Sequence, residues 1–448
     1  MAFEGRNRLG SVAKCLVLLC CFCAGILPEA LAQVETLSEP REMLSESPDT
    51  LSEPRESLAG ESAARRLSRS LTNEDYNIRI GQIRFQTQAR LGAIYTDNVF
   101  LSGVNRKDDF ILNPEVDLAA LMPIGQFNSL RLSVGLGYEW FAKNHSLNGD
   151  APLVNPDSEL AFYLFVGDFR IKLHDKFTYQ QTLALDEQVP NQVRLYNFTD
   201  VARFDRLDNF AGTTVDWDLN KVILTASYDH ENFKSTTQRF EYLDRASELF
   251  GLTANYLLGD RTKAGLEGMG AYHNYDTETT LNDNWRGRIG PFAQVRLPKG
   301  MVFRAGGGYE LARFDDTATA GNEYNHWYAY GKLAQVTKWF IHSLGAGHET
   351  LPGDNANNLR TTYVRYSITT DVLRNTDIEG YLSANFSREF GGGYKEKFIH
   401  YLAGCRLGYQ FAKYWRADLA YELLYKDSDI SDQEFHRNRV SMDVTFKF

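Results

Sequence analysis

The chain has 448 residues, 43% of them hydrophobic, with 58 acidic against 48 basic side chains and a formal net charge of −10. An acidic chain without a basic run is a poor nucleic-acid binder, so no nucleic-acid partner is expected. Four of the five cysteines lie before residue 24, which leaves only Cys405 and excludes a cysteine-built zinc or thiol-redox site further along.

The N-terminal stretch carries Arg6, Arg8 and Lys14, then the uncharged run "CLVLLCCFCAGIL", then "ALA" at Ala30–Ala32. The run is too short to cross a bilayer as a mature helix, and the small residues suit signal peptidase. Residues 1–32 therefore read as a secretory signal peptide cut before Gln33. A lipoprotein signal fits less well, because Cys20, Cys21 and Cys23 follow Leu19, Cys20 and Phe22 rather than a small residue. Cleavage removes three basic and two acidic groups and takes the charge from −10 to −11.

Residues 33–83 are a different material. "TLSEPRE" occurs at Thr36–Glu42 and again at Thr50–Glu56, and from residue 33 onward the first aromatic residue is Tyr76. Such a Ser/Glu/Pro-rich segment cannot bury enough apolar surface to offset its ordering entropy. It reads as a disordered periplasmic leader, either a plain tether or a docking segment.

From residue 84 to Phe448 the texture is an alternation of period two. "SLRLSVGLGYEW" sets Leu130, Leu132, Val134, Leu136, Tyr138 and Trp140 against Arg131, Ser133, Gly135, Gly137 and Glu139. Successive strand side chains point to opposite faces, so each segment has one apolar and one polar row. Eighteen segments read this way: 84–95, 110–121, 129–141, 159–166, 169–179, 209–218, 222–232, 245–257, 262–275, 284–296, 301–314, 325–335, 339–350, 359–371, 376–388, 396–410, 415–426 and 435–448. Most have the length a tilted strand needs to cross a bilayer.

The connections alternate as well. Long polar stretches such as "TDNVFLSGVNRKDD" take turns with short ones such as "GD", "LNK" and "LPKG". A soluble sandwich has no reason to keep that parity. A membrane barrel does, because both termini lie in the periplasm and every second connection is a tight turn. In lipid every backbone amide must be paired within the protein, which a closed sheet achieves without an edge. The fold class is therefore all-β: an antiparallel up-and-down transmembrane barrel of about eighteen strands, within a range of sixteen to eighteen. Outward aromatics near strand ends (Tyr95, Tyr138, Trp140, Tyr228, Tyr272, Trp285, Tyr309, Trp415, Tyr425) suit interfacial girdles, and glycines such as Gly306–Gly308 suit bends.

The last strand, "RNRVSMDVTFKF", places Val440, Met442, Val444, Phe446 and Phe448 in one unbroken row. Alone, it also fits the end of a soluble sheet. With the signal peptide before it, the row resembles the insertion signal of bacterial outer-membrane barrels. The expected location is the outer membrane, and the expected partners are its lipid, lipopolysaccharide and the barrel-assembly machinery.

A narrower resemblance rests on "GAIYTDNVFLS" at Gly92–Ser102, "DDFILNPEVDLAAL" at Asp108–Leu121 and "GYEWFAKNHSLN" at Gly137–Asn148. These stretches, with "LHDKFTY" beyond them, resemble the β-barrel porin 2 family, loosely over residues 84–448. The resemblance implies an outer-membrane barrel linked to exopolysaccharide or capsule export, with export components as partners.

Catalytic patterns are thin. His145–Ser146 and His342–Ser343 are adjacent pairs, whose side chains diverge on a strand. His348–Glu349 lacks the second histidine of a zinc-protease motif. No cofactor, metal site or enzymatic activity is expected. Acidic loop residues (Asp97, Asp108, Asp109, Asp315, Asp316, Asp427, Asp429, Asp432) suit solvation, calcium, or bridging of lipopolysaccharide.

The inward row is richer. Arg131, Glu139, Arg286, Arg288, Arg296, Arg304, Glu310, Arg406, Arg416, Asp418, Glu422, Arg439 and Asp443 are the candidate lumen-lining residues. They either set up a transverse field that selects solutes or pair with one another in a wet interior. The longest connection, 180–208, is the expected constriction loop if it folds inward. The expected function is a passive, porin-like channel for polar solutes. The alternatives are a structural or adhesion barrel with a plugged lumen and, less favoured, a lipid-modifying enzyme.

Overall fold

The computed structural model describes residue 76 and residues 78–182, 203–259, 261–277, 281–315, 323–353, 355–391 and 395–448. The signal peptide, the repeated leader up to residue 75 and most of the 180–208 connection lie outside the described residues.

A short strand, β1 (Ile78–Ile80), turns back through Gly81 onto β2 (Ile83–Thr96). The chain then runs through β3 (Asp109–Ile124), β4 (Asn128–Gly137), the two-residue strands β5 (Trp140–Phe141) and β6 (Leu153–Val154), β7 (Glu159–Val166) and β8 (Phe169–Thr182). It continues with β9 (Arg203–Asp218), β10 (Val222–Ser235), β11 (Arg245–Gly259), β12 (Thr262–Tyr275), β13 (Asn284–Leu297), β14 (Met301–Phe314) and β15 (Glu323–Val336). The last six are β16 (Phe340–Leu351), β17 (Asn358–Leu373), β18 (Thr376–Phe390), β19 (Glu396–Ala412), β20 (Trp415–Ser428) and β21 (Phe435–Lys447). Leaving out β1, β5 and β6, eighteen strands pair antiparallel with their neighbours. The ring closes where β21 meets β2, from Gln88↔Lys447 to Thr96↔Arg439.

Each of the eighteen predicted segments corresponds to one long strand. The third is shorter than expected. It ends at Gly137, and Glu139 falls in the gap before β5, which resumes the same register against β3. The opposing residue explains the break. Tyr138 N–H donates to Pro114 O at 3.0 Å, but Pro114 has no N–H to return.

The apolar rows face outward. Leu91, Val116, Leu252, Leu266, Ile289 and Met442 are each more than half exposed. A continuous exposed apolar belt of this kind is unfavourable in water and is matched by hydrocarbon. Exposed aromatics border it at both ends, with Tyr95, Trp140, Trp285 and Trp327 near the long loops and Phe169, Trp217, Tyr409, Tyr414 and Trp415 near the short turns. Among the described residues, four of the tight turns between long strands use left-handed residues: Gly125, Gly167, Asn220 and the pair Lys299–Gly300.

Candidate pore-lining site

The inner face carries charges that pair along the wall. On β12–β16, Glu267 accepts from Tyr330 Oη at 2.8 Å, from Tyr328 Oη at 3.3 Å and from Arg304 Nη2 at 3.4 Å. Arg288 Nη1 reaches Glu349 Oε2 at 3.3 Å. Along the wall β13 and β16 are about 14 Å apart, so this contact can only be made across the concave side. A second group spans β18–β21 and β2–β3. Arg406 binds Glu379 at 2.8 Å and Asp418 at 3.1 Å, and Arg416 binds Asp377 and Asp418, each at 2.8 Å. Arg437 pairs with Glu422, and Arg90 with Glu115. A third runs through β7–β11, with Lys172–Glu159 at 2.7 Å, Arg170–Asp216, His174–Asp229 at 2.7 Å and the buried pair Arg245–Glu231 at 2.9 Å.

Glycines let these side chains lie flat. A Cβ on Gly306 would stand 2.6 Å from Tyr330 Oη, the hydroxyl that reaches Glu267 across two strands. A Cβ on Gly408 would stand 1.8 Å from Arg416 Nη2. Gly306, read from sequence as a bend, and Gly408 leave grooves in which long side chains cross a neighbouring strand instead of projecting into the lumen.

The structure places the sequence candidates as follows. Arg288, Arg304 and Glu310 lie with Glu267 and Glu349 on one wall, and Arg406, Arg416, Asp418, Glu422 and Asp443 lie on the other. Arg439 sits on the inward row of β21 between Arg437 and Asp443, and Arg296 lies at the short-turn end of β13. Arg131 is on β4, between β3 of the second group and β7 of the third, and Glu139 is off the strand. Arg286 is buried near the long-loop end and donates to the Asn357 carbonyl. Sequence reasoning missed Arg90, Glu115, Glu267, Glu349, Asp377, Glu379 and Arg437. All sit on inward rows, so the same period-two count could have found them.

One long-side loop enters the barrel. Along β15 and β16 the ladder ends at Ala329↔His348, whereas β14–β15 and β16–β17 continue to their tips. Above that seam the β16–β17 hairpin swings inward. Thr350 shares its row with the outward Leu344, yet its N–H donates to Glu310 Oε2 at 3.3 Å and its Oγ1 meets Tyr324 Oη at 2.7 Å. In the connection that follows, Pro352, Gly353, Ala356 and Asn357 are all buried. Asn357 bonds Asn282 of the connection after β12, at 3.1 and 3.2 Å. Asn355 accepts from Tyr242 Oη of the connection after β10, at 3.4 Å. Tyr242 also packs on the buried cluster of Phe233, Leu243, Tyr275 and Leu281. Opposite, Leu101 of the first loop packs on Leu402, Leu424 and Phe435.

The acidic loop residues serve as braces. Asp97 accepts from the Asn438 N–H at 2.7 Å and from its side-chain amide at 2.6 Å. Asp109 is fully buried and accepts from the backbone of Phe110, Lys143 and Asn144. Asp108 pairs with Lys143, and this bond holds the lysine above its ordinary pKa. Asp429 Oδ1 accepts the Lys397 N–H at 2.8 Å, and Asp316 lies outside the described residues. Among the described residues no group of three or more potential metal ligands comes together. His145 and Ser146 sit on an exposed turn, while His342 contacts Gln335 at 3.1 Å, on the strand face opposite Ser343.

No family model matches the chain, and no curated protein does. Solved structures do. A BenF-like porin from Pseudomonas fluorescens superposes with a TM-score of 0.52 at 10% identity, covering 81% of this chain and 99% of that one. OccAB3 from Acinetobacter baumannii gives 0.50 at 11%, covering 82% and 100%. What is shared at these identities is the fold. The chain is an eighteen-strand β-barrel of the bacterial outer-membrane type, and its apolar belt and girdles locate it in the outer membrane.

Proposed function

We propose that the barrel is a passive, porin-like channel for small polar or charged solutes, narrowed on its long-loop side by the β16–β17 hairpin. The observation that carries this reading is the burial of Pro352, Gly353, Ala356 and Asn357 inside the ring, with Asn357 tied to Asn282 and Asn355 to Tyr242. Barrels of sixteen to eighteen strands are wide enough for an aqueous path. The flat-lying charged walls keep that path polar without filling it. A protein of the same fold is named a BenF-like porin, which supports the reading. The candidate residues Arg288, Arg304, Arg406, Arg416 and Asp418 would line the path, with selection by width and local charge and no reaction or energy source.

The association with exopolysaccharide export implied by the sequence resemblance gains no support. The second reading is a plugged structural or adhesion barrel, favoured by the same buried loop if its packing is permanent. Planar-bilayer recording of the purified protein separates the two. Stepwise currents are expected, and a correctly inserted but silent barrel overturns the channel reading. Within this reading the row Val440, Met442, Val444, Phe446 and Phe448 is the segment offered to the assembly machinery.

A further inference from the structure

The outer surface carries a cation cluster that the channel reading does not use. Arg360 of β17 stands directly opposite Arg388 of β18, and Arg388 directly opposite Lys397 of β19. Like charges in directly opposed positions destabilise a sheet, so a row of three calls for a compensating anion. Among the described residues neither Arg388 nor Lys397 has an ion-pair partner. The nearby Asp429 is turned toward the main chain by its bond to the Lys397 N–H. Arg360 starts in this row, but its guanidinium turns to the inner side of the seam, with Nε 3.1 Å from the Tyr324 hydroxyl that Thr350 also meets and the group lying over the rings of Tyr324 and Phe390.

The three cations border an open cleft of about 440 Å³ whose floor includes Phe386 and Ile399 and whose far side carries Asp427. Phe386, 47% exposed, lies two positions below Arg388 on the outward row, and Ile399 lies two below Lys397. The stacked pair Tyr401–Tyr425 continues downward. The cations thus stand at headgroup height on the long-loop side, with apolar wall beneath them.

We infer that this cleft binds a phosphorylated glycolipid of the outer leaflet. Arg388 and Lys397 hold the phosphate, and the acyl chains run down over Phe386 and Ile399. Guanidinium and ammonium groups suit phosphate oxygens through charge-assisted hydrogen bonds. Asp427 is placed for the sugar hydroxyls beside the phosphate. The inference needs the outer-membrane location but not an open channel.

The test is native mass spectrometry of the full barrel in detergent, titrated with bisphosphorylated lipid A, its dephosphorylated form, and inorganic pyrophosphate. One tightly held bisphosphorylated lipid is expected. The double variant R388Q/K397Q should bind it at least about tenfold more weakly, the scale of a lost charge-assisted bond. The dephosphorylated lipid should bind wild type no better than the variant binds lipid A. Heat-modifiable gel mobility reports folding. If the double variant does not fold, Lys397→Gln alone and a salt titration of wild type should show the same weakening. Equal binding by the variant or of the dephosphorylated lipid overturns the site. Displacement of lipid A by equimolar pyrophosphate overturns the lipid as its occupant.

Discussion

Asn357 and Asn282 form a reciprocal pair inside the barrel. The Asn282 N–H donates to Asn357 Oδ1 at 3.1 Å, and Asn357 Nδ2 donates to Asn282 Oδ1 at 3.2 Å. The two residues are 75 positions apart, and both are nearly fully buried. The pair bolts one extracellular connection to another and holds the β16–β17 hairpin across the lumen.

Asn357→Ala removes both bonds and strands a buried N–H, a cost of about 1–3 kcal/mol on the loop's anchoring. The hairpin should then leave its seat for part of the time. Single-channel recording should show larger or flickering openings, while strand content by circular dichroism stays unchanged. An identical current trace would mean that this loop does not set the aperture.

Glu267 gathers Arg304, Tyr328 and Tyr330. Glu267→Gln keeps an acceptor for the hydroxyls but leaves the guanidinium without its charge partner. One extra positive charge about 10 Å from a passing ion in water is worth about 0.4 kcal/mol, close to a twofold change in permeability ratio. The reversal potential in a salt gradient should move toward anion preference. Movement toward cations would contradict the placement of this wall along the path.

Gly408 gives Arg416 its bed, since a Cβ there would lie 1.8 Å from Nη2. Gly408→Ala should lift the guanidinium off Asp377 and into the lumen, costing about 1–3 kcal/mol as overpacking does. Unit conductance should fall in a barrel that still migrates as folded. An unchanged conductance would show that Arg416 finds another flat position.

At the C-terminus Phe446 packs at a tilt against Trp415, 4.6 Å between ring centroids, and edge-on against Phe448 at 4.5 Å. Phe446→Ala gives up both pairs, each worth about 0.5–1.5 kcal/mol beyond its buried area. The folded fraction in cells should drop, and refolding from denaturant into detergent micelles should recover it at a lower thermal midpoint. Equal yields in cells would separate this ring from insertion.

The strands were legible because their signal is local. The row Leu130, Leu132, Val134 and Leu136 announces its own two faces, and short turns such as Leu219–Lys221 announce the parity of the connections. The third strand was overestimated because its end depends on Pro114, a residue of the strand beside it. Arg304 and Arg416 could be placed on inward rows, but their partners Glu267 and Asp377 could not be read, since each pairing skips a strand. The expected constriction, the longest connection at 180–208, lies mostly outside the described residues; among the described residues it is the β16–β17 hairpin, with Pro352, Gly353, Ala356 and Asn357 buried, that turns inward.

What the sequence by itself determined is the barrel: its strand number, its order and which row meets lipid. Period-two patterning and turn chemistry act between neighbours and need no knowledge of closure. Only the tertiary structure decided which loop enters the ring, which charges meet on its wall and where Arg388 and Lys397 line up outside. Those relations join residues on strands that become neighbours, or face one another, only once the sheet has curved and closed.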